Sequence, residues 1–228
     1  MQVIADNLSV KRGEELIFEG VCFQLTGGES LTITGPNGVG KSTLLRALSG
    51  LMPFSSGQFT IDAGLDNSLV NSLGDSSNDE KAFYEYCHYI GHQNAMKAEL
   101  SVLENLNFWQ GQMGGGDQCL SPEAAAEALG LSHTFDLPFG FLSQGQRRRI
   151  ALAKLFISRR AVWLLDEPTA ALDNASGKVF MELTKDYIKS GGIVIAATHV
   201  PLGFTGAKTL EMVPLDPDAG SNADESYF

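Results

Sequence analysis

The chain is short of cysteine: Cys22, Cys87 and Cys119 stand far apart among 228 residues and cannot all pair. No CxxC pair and no Cys/His zinc spacing occurs. A disulfide-stapled secreted fold is therefore excluded, and buried free thiols in a reducing compartment are expected. Basic residues are also scarce, 16 Lys+Arg against 27 Asp+Glu, for a net charge of −11. A nucleic-acid binder working through a basic face needs clustered Lys and Arg on the phosphates, so that class is disfavoured. No run reaches the ~18 apolar residues that cross a bilayer. The start, MQVIADNLSVKRGEE, has no basic segment followed by an apolar one and does not read as a signal peptide. There is no internal repeat and no heptad run. The expectation is a soluble chain that reaches a membrane only through a partner.

What is present suffices for a sizeable core, since 43% of residues are hydrophobic and 19% charged. The acidic excess is local. Asp62, Asp66, Asp75, Asp79 and Glu80 lie in 62–80, and Asp216, Asp218, Asp224 and Glu225 lie in 216–228, with no basic residue in either stretch. These read as a solvated insertion and a frayed acidic tail, leaving 1–215 as a single domain.

Short β-like runs open the chain at Leu8–Val10, Leu16–Phe18 and Val21–Leu25. Ser30–Thr34 then leads into a glycine-rich turn, followed by Ser42–Ser49 with helical spacing and Gly50 as a stop. Gly57–Ile61 and His88–Gly91 read as strands. Helical signals run from about Ser101 to Ser132, broken at Gly114–Gly116, within a helical insert near 94–143. Gln146–Ser158 is an amphipathic helix. Ala161–Leu165 and Ile193–Ala197 are continuous apolar runs, typical of parallel strands buried on both faces, with helix-like Ser176–Ser190 between them. The order predicts an α/β domain: a parallel-sheet core, a small antiparallel piece at the start and a helical insert.

Three motifs carry chemistry. Gly35, Pro36, Asn37, Gly38, Val39, Gly40, Lys41, Ser42 and Thr43 fit GxxxxGK[ST] between a strand and a helix. The glycines let backbone N–H groups turn inward around phosphate oxygens, and the helix start adds positive potential. Lys41 would reach the β- and γ-phosphates, and the Ser42 hydroxyl would ligate Mg²⁺. In Trp163–Pro168, an apolar strand delivers Asp166 and Glu167 at its carboxyl end, where α/β sheets bind ligands. Asp166 would serve the metal. Glu167, one residue on, is the natural general base toward an attacking water. The third motif is Leu142, Ser143, Gln144, Gly145 and Gln146, followed by Arg147, Arg148 and Arg149; a simple phosphate-binding enzyme has no use for it.

With the first two, the third motif resembles the signature loop of ABC ATPases, usually LSGGQ. The resemblance covers residues 3–200 and implies a P-loop NTPase (RecA-like) core with an antiparallel β subdomain and a helical insert. It implies hydrolysis of ATP with Mg²⁺. It also places Gln93 as the Q-loop glutamine beside the metal, Ala171–Asp173 as the D-loop with Asp173 its acid, and His199 as the switch histidine. Two departures stand out. Gln144 occupies a usual glycine, while Ser143 and Gly145 are kept. Arg12 stands where the family places an aromatic against adenine; a guanidinium can stack on a ring face. Tyr89–Gln93, Ser101–Phe108 and Gly192–Leu202 further resemble the ATPase subunit of the haem exporter of bacterial cytochrome c maturation. The ABC resemblance implies a homodimer of ATPase subunits, each phosphate loop facing the other copy's Ser143 loop. The dimer would sit on membrane-spanning subunits at the cytoplasmic face of the inner membrane, coupled through the groove near Gln93–Leu100. Other readings stay open: an ABC subunit for another substrate, such as an amino acid or a lipid, or a soluble ABC switch protein.

Overall fold

The computed structural model describes residues 1–62, 69–71, 85–116, 119–199, 203–204 and 206–215. Two sheets organise them. A four-stranded antiparallel sheet is built from β1 (Gln2–Arg12), β2 (Glu15–Thr26), β4 (Ser56–Asp62) and β5 (Leu69–Asn71), in the order β2-β1-β4-β5. A five-stranded sheet holds β3 (Ser30–Thr34), β6 (Cys87–Ile90), β7 (Val162–Asp166), β8 (Ile193–Ala197) and β9 (Lys208–Glu211), ordered β6-β7-β8-β3-β9 with every neighbour parallel. The helices are α1 (Lys41–Leu48), α2 (Val102–Met113), α3 (Pro122–Ala128), α4 (Gln144–Ile157) and α5 (Asn174–Lys189).

The apolar runs behave as their composition dictates. Every residue of β7 and β8 is buried, and successive side chains go to opposite sides of the sheet. Val162, Leu164, Ile193, Ile195 and Ala197 join one core with α1 and the antiparallel sheet. Trp163, Leu165, Val194 and Ala196 join a second core with α2, α3, α4 and α5. Both faces of the central sheet are therefore covered, as all-parallel sheets require.

Three sequence expectations need correction. The three opening runs are parts of two long strands. Register shifts between Ala5 and Leu8, and between Leu8 and Val10, carry β1 past polar Asp6 and Asn7 without ending it. The thiols are not uniformly buried: Cys87 is, Cys119 is half-buried, and Cys22 lies exposed on β2. Burial pushes the Cys87 thiol up to about 12. The insertion at 62–80 is not only loop, because Leu69–Asn71 pairs antiparallel with Thr60–Asp62 of β4. The remainder of that stretch and the tail 216–228 lie outside the described residues. No helix of the described residues is long and apolar enough to cross a membrane.

Candidate functional site

The phosphate loop bridges β3 and α1 at the carboxyl edge of the parallel sheet. Its shape depends on glycine at Gly35. The residue has φ 133°, and a Cβ there would lie 2.3 Å from the Met212 carbonyl oxygen. Gly40 caps α1 at φ 105° with no side-chain cap, so no side chain occupies the first-turn N–H groups of the helix. Lys41 is buried and folds back on its own loop, donating from Nζ to the carbonyls of Gly35 (2.8 Å) and Pro36 (2.9 Å). Ser42 is exposed beside it.

The acidic pair ends β7. Asp166 is buried, and Glu167 turns sharply out of the sheet. Its N–H donates to the Ala197 carbonyl of β8 (2.9 Å). Glu167 has φ 44°, a left-handed conformation, and it precedes Pro168. Both facts work against an ordinary L-residue, and such backbone costs on the order of 1–3 kcal/mol unless its surroundings enforce it. His199, just past β8, closes the group. Its Nε2 lies 2.8 Å from Asn37 Oδ1 of the phosphate loop and 3.7 Å from Glu167 Oε1. Three elements thus converge: the phosphate loop, the end of β7 and the end of β8.

The signature segment opens α4. Ser143 is its N-cap: Ser143 Oγ accepts from Gln146 N–H, and Gln146 Oε1 accepts from Ser143 N–H (2.9 Å). Leu142 is buried, whereas Ser143 and Gln144 face solvent, which explains how a glutamine fits at 144. Gly145 has no such freedom, because an added Cβ would sit 2.9 Å from the Ala171 carbonyl oxygen. The signature segment therefore packs on the turn leading to Asp173. Asp173 caps α5, accepting from Ser176 N–H (2.7 Å), and this backbone bond holds its carboxyl below the usual range.

Gln93 is exposed in the turn after β6, and the turn is held from α4 on both flanks. Arg148 donates to the Gly91 carbonyl (2.7 Å), and Lys154 to the Asn94 carbonyl (3.1 Å). Lys154 is buried 4.6 Å over the Trp109 ring, and burial brings its amine down to about 8. Burial also lowers the Arg148 guanidinium, opposed by the Asp166 and Glu167 carboxylates.

Arg12 is not drawn into this group. It is exposed at the end of β1, opposite Glu15. A cleft of about 370 Å³ beside the phosphate loop is lined instead by Leu16, Ile17, Pro36, Val39, Pro214 and Leu215, among others. The share of Pro214 and Leu215 had no signal in the sequence, because only the long-range return of the chain after β9 brings them there. His88, in β6, is buried and donates from Nε2 to the Ser158 carbonyl (2.8 Å); burial lowers its pKa to about 4. A carbonyl can only accept, so Nε2 carries the proton in that bond.

Ser42, Gln93 and Asp166 offer hydroxyl, amide and carboxylate oxygens, the set hard divalent cations take. No group of three or more His, Cys, Asp or Glu suited to a metal gathers among the described residues.

Residues 18–170 match the ABC transporter family. A cytochrome c biogenesis ATP-binding export protein CcmA of Rhizobium meliloti (strain 1021) is 49% identical over 93% of this chain and 98% of its own length. Its counterpart in Mesorhizobium japonicum is 49% identical over 91% and 96%. Among solved structures, a dimeric bacterial ABC transporter cassette superposes with a TM-score of 0.75 at 26% identity, covering 92% of this chain and 94% of that one. A dimeric cassette in a post-hydrolysis state with ADP and Pi gives 0.71 at 27% identity over 87% and 88%.

Proposed function

The chain belongs to the ABC transporter family, and on that premise we propose that it is the ATP-hydrolysing subunit of a transporter serving cytochrome c biogenesis. ABC cassettes work as dimers with membrane partner subunits. The observation that carries the reading is the convergence of Glu167, His199 and Asn37 at the phosphate loop, at 2.8 and 3.7 Å.

The steps follow from these side chains. The uncapped start of α1 and the inward N–H groups of the loop receive the β- and γ-phosphates. Lys41 exchanges the Gly35 and Pro36 carbonyls for phosphate oxygens, a stronger charge-assisted bond. Ser42 and Asp166 would hold Mg²⁺, with Gln93 beside it, and the ion would screen the phosphate charge as the leaving group departs. Glu167 accepts a proton from a water as its oxygen bonds to the γ-phosphorus and the bond to ADP breaks. His199, held by Asn37, stands where it senses both the γ-phosphate and the base. The Ser143 hydroxyl accepts from Gln146 but keeps its own proton to donate across the dimer to the other copy's γ-phosphate. The Leu16–Ile17 wall of the cleft takes the adenine, with Arg12 at its margin.

Closure and reopening of the two copies would then move membrane-spanning subunits of a cytochrome c maturation complex at the cytoplasmic face of the inner membrane. There turnover accompanies haem export or release of a haem-loaded chaperone. Glu167→Gln tests the core of this reading. It should bind ATP and trap a closed dimer while turnover falls by about 10²–10⁴, the usual contribution of a general base. Wild-type turnover in that variant removes Glu167 from the role. Affinity purification from membranes tests the assignment to cytochrome c maturation through the subunits that come with it.

A further inference from the structure

The three arginines after the signature point three ways, because a helix turns about 100° per residue. Arg147 donates to the Gly140 carbonyl and lies over the Phe139 ring, steadying the approach to Ser143. Arg149 donates to the Leu129 carbonyl at the end of α3 (3.0 Å). Arg148 points inward and is 6% exposed. Its Nη1 donates to Gly91 (2.7 Å), and its Nη2 to the carbonyls of both Asp166 (2.7 Å) and Glu167 (2.9 Å). Successive carbonyls of a strand point in opposite directions, so one nitrogen reaches both only if the chain turns between them. The left-handed Glu167 makes that turn, and Arg148 is bonded to its two sides.

We propose that Arg148 is a positioning residue for hydrolysis: it holds Glu167 in its left-handed conformation and ties that geometry to the placement of the signature helix. This rests on the reading of Glu167 as the base. The same guanidinium grips the end of β6, two residues before Gln93, and sits five residues from Ser143, where the second copy's nucleotide would pull. A phosphate on Ser143 therefore acts on a unit that joins, within one chain, the first turns of α4, the Gln93 turn and Glu167. Hydrolytic competence becomes a property of where α4 stands. A lysine cannot replace this arrangement, because it has one terminal nitrogen where the guanidinium has two and cannot hold Gly91 and the Asp166–Glu167 carbonyls together.

The test uses the full chain carrying Arg148→Lys, Glu167→Gln or both, with MgATP affinity, turnover and dimer trapping measured on each. Arg148→Lys should lower kcat by roughly tenfold to a hundredfold, the cost of misplacing a catalytic group by about an ångström. Its KM and ATP affinity should stay within about threefold, because the phosphate loop is untouched. In the Glu167→Gln background the lysine should cause no further loss of residual turnover, and the double variant should still trap the ATP-bound dimer. Wild-type kcat in Arg148→Lys overturns the proposal. So does a matching loss of ATP affinity, which would mean the arginine merely holds the fold, and so does a full multiplicative loss in the double variant. Glu167→Gln alone reads the base assignment, so failure there is separable from failure of the positioning role.

Discussion

The helix behind the phosphate loop and the helix behind Ser143 both aim their starts at phosphate in the proposed reading, yet they are finished differently. Helix α1 begins at a left-handed glycine with no side-chain cap, and its lysine is parked on two carbonyls of its own loop. Helix α4 begins with a complete capping box, Ser143 and Gln146 each satisfying the other's backbone. The first end has no side-chain cap, which leaves its donors open to water or an anion. The second has two of its backbone N–H groups, those of Ser143 and Gln146, already bonded within the chain and adds a hydroxyl proton. This difference suits a site in which the nucleotide is bound by one copy and only sensed by the other.

Breaking the first end should do the most damage. Lys41→Ala removes the charge-assisted partner of the phosphates, each such bond contributing about 1.5–3 kcal/mol, so ATP affinity should fall by ten- to a hundredfold or more. Nucleotide titration checks this, and unchanged affinity together with unchanged hydrolysis takes Lys41 out of the site. The second end should respond in turnover, not in binding. Gly145→Ala pushes a methyl to 2.9 Å from the Ala171 carbonyl oxygen. Overpacking of that kind costs about 1–3 kcal/mol, so kcat should fall by roughly tenfold while the isolated chain keeps its ATP affinity. A parallel fall in affinity would erase the distinction between the two ends.

Smaller effects sharpen the contrast. A guanidinium stacked on adenine would contribute roughly 0.5–2 kcal/mol. Arg12 lies outside the lining of the cleft, so Arg12→Ala should weaken binding by about threefold or less, the low edge of that range. Arg12→Tyr, which restores the family's aromatic, should match or improve on wild type. If Arg12→Ala costs more than tenfold in the same titration, the ring is held by the guanidinium after all. Gln144→Gly restores the family's usual residue at an exposed position and should leave steady-state turnover within about twofold.

What could be read from the sequence was what is local. The phosphate loop and the Asp166–Glu167 pair sit on contiguous residues whose spacing follows from phosphate geometry and strand direction. The doubly buried β7 and β8 were legible for the same reason, since five apolar residues in a row admit few other settings. What escaped depends on phase or on distance. Arg147, Arg148 and Arg149 read alike in a string, and only the rotation of α4 makes one of them internal. Cys22 looked like a core thiol because free cysteine usually is one, but alternation along β2 turned it outward. The first run reads as a strand only over Leu8–Val10, because a register shift that carries a strand past polar Asp6 and Asn7 leaves no residue signature of its own.

The pairing of Leu69–Asn71 with Thr60–Asp62 also bears on how the protein keeps to itself. An outermost strand with free N–H and C=O groups is a template for uninvited pairing between molecules. Here β5 covers the outer rim of β4, and it does so from within the most acidic stretch of the chain, where like charges repel a second molecule. Removing 66–79 should therefore spare hydrolysis, which occurs at the far sheet, while laying bare the rim at Thr60–Asp62. The expected symptom is association that grows with protein concentration, visible by light scattering in a preparation whose specific ATPase activity is intact. A segment with no part in the chemistry would then be what lets two copies meet only at their nucleotides.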